Sequence, residues 1–306
     1  RDVERSRGLG DVYKRQLLFN AFVWGLAWWP FQHMHQAGLH PLWATACMYA
    51  VVLLALLAWR PGILQQVRAH PQLWLLALAS GLNNVAFNWA VTIGDVVRVI
   101  LLFYLMPAWA VLLAWKVLGE RPTPAALLRL ALAFCGVVLV LLPEGAPASR
   151  LLQNLSLADA LALLGGFMFA LTNVTLRRLH TVPGPARMFS MFGGCMLMAL
   201  AVASIGLQVG VVEPFPAVNA TWVVTGLLLA GVLLLGNWAL QFGAARLAAG
   251  TTALVMLSEV MFASVSSALL GAATLNTRTV LGGALILLAS LLAALQFRRP
   301  GAAGPH

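Results

Sequence analysis

An all-α integral membrane fold, with ten transmembrane helices laid out as two inverted five-helix repeats, is what this sequence predicts. Three observations predict it. First, 61% of the 306 residues are hydrophobic and 9% are charged, with a mean hydropathy of +0.88, whereas about a quarter of an ordinary soluble chain is charged. Second, the apolar runs are near-continuous and of span length, which leaves a hydrophobic surplus that only acyl chains can cover. Third, the chain repeats itself weakly: Asn84 and Asn88 find counterparts in Asn237 and Gln241 at an offset of 153, and Phe22-Val23-Trp24-Gly25-Leu26 resembles Phe167-Met168-Phe169-Ala170-Leu171. Five is an odd number of crossings, so a second copy of the unit enters the membrane upside down, and inverted repeats place a site at their interface near the midplane.

Residues 1–16 are polar and lack an initiator Met, and are set apart as a disordered leader or sequence scar. The spans are then expected at 17–36, 41–59, 72–91, 96–116, 125–142, 157–178, 186–208, 221–242, 251–271 and 279–297. Near twenty residues each, at about 1.5 Å per residue, they can cross a hydrocarbon core of about 30 Å. Turn formers punctuate the connections, as at Arg60-Pro61-Gly62, His70-Pro71 and Pro183-Gly184-Pro185. The first repeat covers 17–143, an outer linker 144–156, the second repeat 157–297 and a cytoplasmic tail 298–306. Pro30 and Pro107 each withdraw an N–H from a span and mark kinks.

A net charge of +10 could serve nucleic acid, but that footprint gathers Lys and Arg on one face with exposed aromatics. Here the cations stand singly between apolar runs, where they set topology and meet the headgroups of the lipid bilayer, and no nucleic-acid partner is expected. With both termini cytoplasmic, three cations (Arg98, Arg150 and Arg278) fall outside while the other eleven beyond residue 16 fall inside. A multi-pass inner-membrane protein with both termini in the cytoplasm is the expectation. Cys47, Cys135 and Cys195 lack paired spacing, and His33, His35 and His40 lack a Cys or carboxylate partner nearby, so neither metal nor cofactor is expected.

Two stretches carry a family likeness. Trp24-Gly25 stands in the first span, and the fourth reads Leu102-Phe103-Tyr104-Leu105-Met106-Pro107-Ala108-Trp109-Ala110-Val111-Leu112-Leu113-Ala114-Trp115, closing with Leu118-Gly119-Glu120-Arg121-Pro122-Thr123. The fourth resembles the signature helix of EamA-type members of the drug/metabolite transporter superfamily. That resemblance implies a basket of two inverted repeats around a cavity lined by helices one, three, four, six, eight and nine, and relatives that include amino-acid and metabolite exporters. The second-half equivalent, Leu257-Ser258-Glu259 through Leu270-Gly271, departs from the pattern: Glu259 replaces the expected Pro, and Ala272 replaces the expected Glu.

Glu259 is the acid placed well inside a span, where an ionised side chain costs roughly 2.5–3.5 kcal/mol. Thr252, Glu259 and Ser266 share one helical stripe, so the carboxyl is expected to face a polar cavity and to bind a proton or a cationic group, or else to act as hydrogen-bonded glue between helices. The substrate pocket is expected from Trp24, Asn84, Asn88, Asn173, Asn237 and Gln241, because amides orient a polar solute without charge and aromatic walls enclose it. The same amides can serve as interhelical hydrogen bonds. Arg98 is a candidate outer gate. It lies about 14 Å from the level of Glu259, too far to share one amino acid with it, and otherwise snorkels or pairs with Asp95 at i−3.

No GxSxG, HExxH, Walker loop or paired intramembrane Asp occurs, so an embedded enzyme is disfavoured, and a scaffold would not need polar stripes on facing helices. A monomeric carrier of a small-molecule substrate is expected, secondary-active or facilitative. Its cargo is an amino acid or related metabolite for export, with proton-coupled efflux of lipophilic cations as the rival.

Overall fold

Backbone in hydrocarbon must satisfy its own N–H and C=O groups, and among the described residues helices alone do so. The computed structural model describes residues 2–118, 122–141, 155–179, 181–244, 255, 258–271 and 276–296. The first half contains α1 (Asp2–Leu26), α2 (Trp28–Gln36), α3 (Pro41–Trp59), α4 (Ile63–Arg68), α5 (Leu73–Ile93), α6 (Val96–Phe103), α7 (Met106–Leu118) and α8 (Pro124–Leu141). The second contains α9 (Leu157–Arg178), α10 (Gly184–Gln208), α11 (Ala220–Ala244), α12 (Ser258–Leu269) and α13 (Thr277–Gln296). Among the described residues, six stretches are long and apolar enough to cross a membrane: Pro41–Trp59, Val96–Leu113, Pro124–Leu141, Leu157–Leu176, Gly184–Gln208 and Ala220–Asn237. The protein is therefore a multi-pass membrane protein.

Local chemistry explains the boundaries. His40 caps α3 by accepting the Leu42 N–H at Nδ1, and Pro41 occupies the first turn, where its missing N–H costs nothing. At α9, Ser156 and Asp159 form a reciprocal capping box. Pro30 and Pro107 both interrupt their helices one turn upstream: the chain pauses at Ala27 between α1 and α2, and at Tyr104-Leu105 between α6 and α7. A proline removes the N–H that the carbonyl four residues earlier would have used, so the break falls on that turn. Residues 2–16, set apart in the sequence as a disordered leader or sequence scar, are helical and run into α1 without interruption, because extending an already nucleated helix costs far less than starting one.

Helices from the two halves interleave. α1 lies against α11 and α12, α9 lies against α5 and the α6–α7 pair, α3 packs on α10, and α8 packs on α13. Close approach at α5 and α10 depends on glycine: a Cβ on Gly81 would stand 2.5 Å from the Gly194 carbonyl oxygen, and one on Gly194 would collide with the Ala77 carbonyl. Small residues of this kind let helix backbones meet where no hydrophobic force draws them together. One apolar cluster surrounds the α6–α7 break and includes Trp28, Phe103, Tyr104, Val137 and Ile286. A second gathers Phe31, Tyr49, Phe192 and Trp222 between α2, α3, α10 and α11, and Trp24 packs against both. Large side chains such as Leu54, Leu228 and Leu269 remain exposed on the rim, as suits a lipid-facing surface.

Candidate functional site

The break before Pro107 places Tyr104 within the buried apolar cluster around it. The Tyr104 N–H still reaches Ile100 O at 2.9 Å, but Leu105 closes only a tighter turn onto Leu102 O at 3.2 Å. Tyr104 is buried, and its hydroxyl donates to Glu259 Oε2 at 3.3 Å. Glu259 stands in the first turn of α12, and α1 comes up closely beside it. A Cβ on Gly25 would lie 2.8 Å from the Glu259 carbonyl oxygen and 2.7 Å from Phe262 Cβ. Phe22 meets Phe262 edge-on at 5.3 Å. One turn further on, the Trp28 indole donates to Ser266 Oγ at 3.0 Å. Ser266 and Glu259 thus meet partners from different helices, while Thr252 lies outside the described residues.

The amides on α5 point to α3. Asn84 Oδ1 accepts from the Tyr49 hydroxyl, and the buried Asn88 donates to Thr45 Oγ1 at 3.0 Å. Asn173 is exposed and donates to Phe169 O, four residues back on its own helix, at 3.0 Å. Asn237, half-buried, does the same to Leu233 O at 2.9 Å. The Gln241 side chain lies outside the described residues. Trp24 sits where the two apolar clusters join.

Of these candidates, Trp24, Asn84, Asn88, Asn173 and Asn237 line neither of two cavities formed by the described residues. One, of about 160 Å³, lies between α2, α3 and α11 and is walled by Met34, Leu39, Met48, Trp222 and other apolar groups. The other, of about 10 Å³, is bounded by Tyr104, Arg129, Ser290 and small apolar residues.

Arg98 pairs with Asp159, not with the Asp95 carboxylate. Its Nε reaches Oδ1 at 2.7 Å and its Nη2 reaches Oδ2 at 2.9 Å, the two-pronged geometry that guanidinium and carboxylate favour. Asp95 accepts the backbone N–H of Arg98 as the cap of α6, so the sequence-local pairing serves the helix end and leaves the guanidinium for α9. Asp159 was not among the candidates read from the sequence. The Ser156-x-x-Asp159 spacing was the available signal, since it puts the acid in the first turn of a helix. At the neighbouring end of α3, His40 is held neutral: burial, with His35 adding to it, lowers its pKa to about 4. His33 stacks on Trp29 at 5.6 Å.

Residues 16–142 match the EamA-like transporter family. Over that stretch the chain is similar to the family. EamA proteins form part of the drug/metabolite transporter superfamily, in agreement with the resemblance read from the fourth helix. A Pseudomonas aeruginosa protein described as an uncharacterized transporter is 35% identical over 97 residues, which are 30% of this chain and 32% of that relative's own length. The match therefore spans about a third of the relative. One solved crystal structure aligns over 95% of this chain and 99% of its own, at a TM-score of 0.59 and 20% identity. It shares the fold.

Proposed function

We propose that this protein is a secondary-active or facilitative carrier that exports amino acids or related metabolites across the inner (plasma) membrane by alternating access. The observation that carries the reading is the Glu259 carboxyl held by Tyr104 inside the bundle. It meets the family's signature helix at the break before Pro107, where an unwound turn suits a site near the midplane. An acid in that place takes up either a proton or the amine of a solute during the cycle. Trp24, Asn84, Asn88, Asn173, Asn237 and Gln241 supply the polar and aromatic surface of the pocket once the halves move apart. Arg98, clamped to Asp159, acts as the outer gate.

Ten crossings in two inverted repeats, 17–143 and 157–297, are supported by the pairing of the helices. α1 against α11 mirrors α9 against α5, and α1 against α12 mirrors α9 against α6 and α7. α3 with α10 and α8 with α13 then pair with their own counterparts, as a two-fold axis in the membrane plane requires. The termini are assigned to the cytoplasm by the cation bias. Cysteines introduced at positions 145 and 306 should label from opposite sides of intact cells, and equal labelling would overturn the orientation.

The apolar cavity of about 160 Å³ between α2, α3 and α11 favours a second reading, proton-coupled efflux of lipophilic cations. Counterflow in proteoliposomes with labelled amino acids and lipophilic cations separates the two. If Glu259 couples transport, Glu259→Gln loses proton-driven uphill movement and keeps downhill exchange; if it holds an amine, binding itself weakens. Full pH-dependent uphill transport by Glu259→Gln would remove the role given to the acid.

A further inference from the structure

The cavity of about 10 Å³ between the α6–α7 break, α7, α8 and α13 is lined by Arg129, Ser290, Tyr104, Ala108, Ala133 and Ala289. Its walls carry two polar atoms in want of partners. Arg129 Nε and Ser290 Oγ are both buried, and neither finds a hydrogen bond among the described residues. A serine within a helix ordinarily satisfies itself on the carbonyl four residues back, and Ser290, 7% exposed, does not. Unpaired buried donors cost about 1–3 kcal/mol each and are usually met by ordered water. The space is at the threshold for one water, and the partners number three once Tyr104 is counted, which is what a buried water typically has.

We infer that a single water held by Arg129 Nε, Ser290 Oγ and the Tyr104 hydroxyl links Glu259 to the surface at the α8 end of the bundle. The inference rests on the reading of Glu259 as a proton-binding group. Arg129 is half-buried, so its side chain leads from the cavity to the outside within the early turns of α8. With Arg98 and Asp159 closing the opposite end, this conformation gives the acid access from one side. Tyr104 from the α6–α7 break touches the Glu259 carboxyl and Gly25 of α1 approaches its backbone, while Arg129 of α8 and Ser290 of α13 line the cavity that Tyr104 also lines.

Protonation then proceeds along the chain. The Tyr104 O–H bond breaks as the Glu259 Oε2–H bond forms, the phenolic oxygen takes a proton from the cavity water, and that water is restored by a hydronium ion at the mouth. The net change is one proton gained by the carboxylate and one water returned to solvent.

The test follows hydrogen-deuterium exchange of the Glu259 carboxyl, by its infrared carbonyl band, in the full chain reconstituted in liposomes. The band is identified as the one lost in Glu259→Gln, at a pH low enough to develop it fully. Ser290→Val and Ala133→Leu fill the cavity from two different helices, so one remains informative if the other does not fold. Both should slow exchange by about tenfold or more, while Ser290→Thr, which keeps the hydroxyl, should exchange like the parent. Unchanged exchange in the filled variants would overturn the water path and leave Glu259 as a proton site. Absence of any band that Glu259→Gln removes would overturn both.

Discussion

Arg98 and Asp159, 61 residues apart in the chain, form a two-pronged ion pair that ties the N-terminus of α6 to the N-terminus of α9. Asp159 is 2% exposed and Arg98 27%, so the carboxylate would be stranded if the guanidinium were removed. Ser156 adds its backbone N–H to the same carboxylate at 2.9 Å. The pair thus joins a helix from each half of the chain at one end of the bundle.

Removing one partner should cost more than removing both. Arg98→Gln is expected to lower the unfolding free energy in detergent by about 1.5–3 kcal/mol, the range for a hydrogen bond to a charged group. Adding Asp159→Asn should restore part of that loss. A double-mutant cycle measured by denaturant unfolding should return a coupling of about 0.5–3 kcal/mol, and additivity of the two single changes would show that the pair contributes nothing.

Adjacent glycines on α10 should respond in opposite ways. A Cβ at Gly194 would collide with the Ala77 backbone, whereas one at Gly193 has nothing within 4 Å. Gly194→Ala should destabilise by about 1–3 kcal/mol through forced separation of α5 and α10. Gly193→Ala should be neutral or slightly stabilising. Thermal unfolding of the two purified variants compares them directly.

Among the pocket candidates, stability and transport should separate. Asn88→Ala removes the partner of the fully buried Thr45 hydroxyl and is expected to cost about 1–3 kcal/mol. Asn173→Ala removes a bond within one exposed helix turn and should cost less than about 0.5 kcal/mol. A loss of counterflow in Asn173→Ala with unchanged melting would place that amide on the solute path; unchanged counterflow would take it off.

Acidification should loosen the end of α3. The folded-state pKa of His40, about 4, lies below the ordinary 6.5 because burial and His35 disfavour the charged ring. Between those values the unfolded chain binds the extra proton, so the stability present above about 6.5 is lost as the pH falls toward about 4. His40→Asn keeps an acceptor for the Leu42 N–H and removes the titration. Melting temperatures measured from pH 7 downward should fall less steeply in that variant than in the parent, and parallel curves would exclude His40 as the cause.

The helices were legible one by one. The expected span at 41–59 coincides with α3, and that at 157–178 with α9, because a backbone without water has no alternative to the helix and turn formers mark its ends. Pro30 and Pro107 gave the two breaks, since the lost N–H is a local fact. Glu259 was legible as an anomaly, a charge in an apolar run. By contrast, Asn84 and Asn88 gave a polar stripe whose purpose the periodicity could not supply, and in the fold both meet α3.

What the sequence by itself determined is therefore the list of helices, their interruptions and the face each residue occupies. Which neighbour that face meets was decided by the tertiary structure alone. Arg98 had Asp95 three residues away and found Asp159, while Glu259 found Tyr104 across 155 residues of chain. The cause is geometric: a period of about 3.6 residues fixes the direction of a side chain about its own axis, but the rotation and depth of one helix against another depend on where backbones can approach. Those approaches are set by pairs such as Gly25 with Glu259 and Gly81 with Gly194, whose members lie in different halves of the chain.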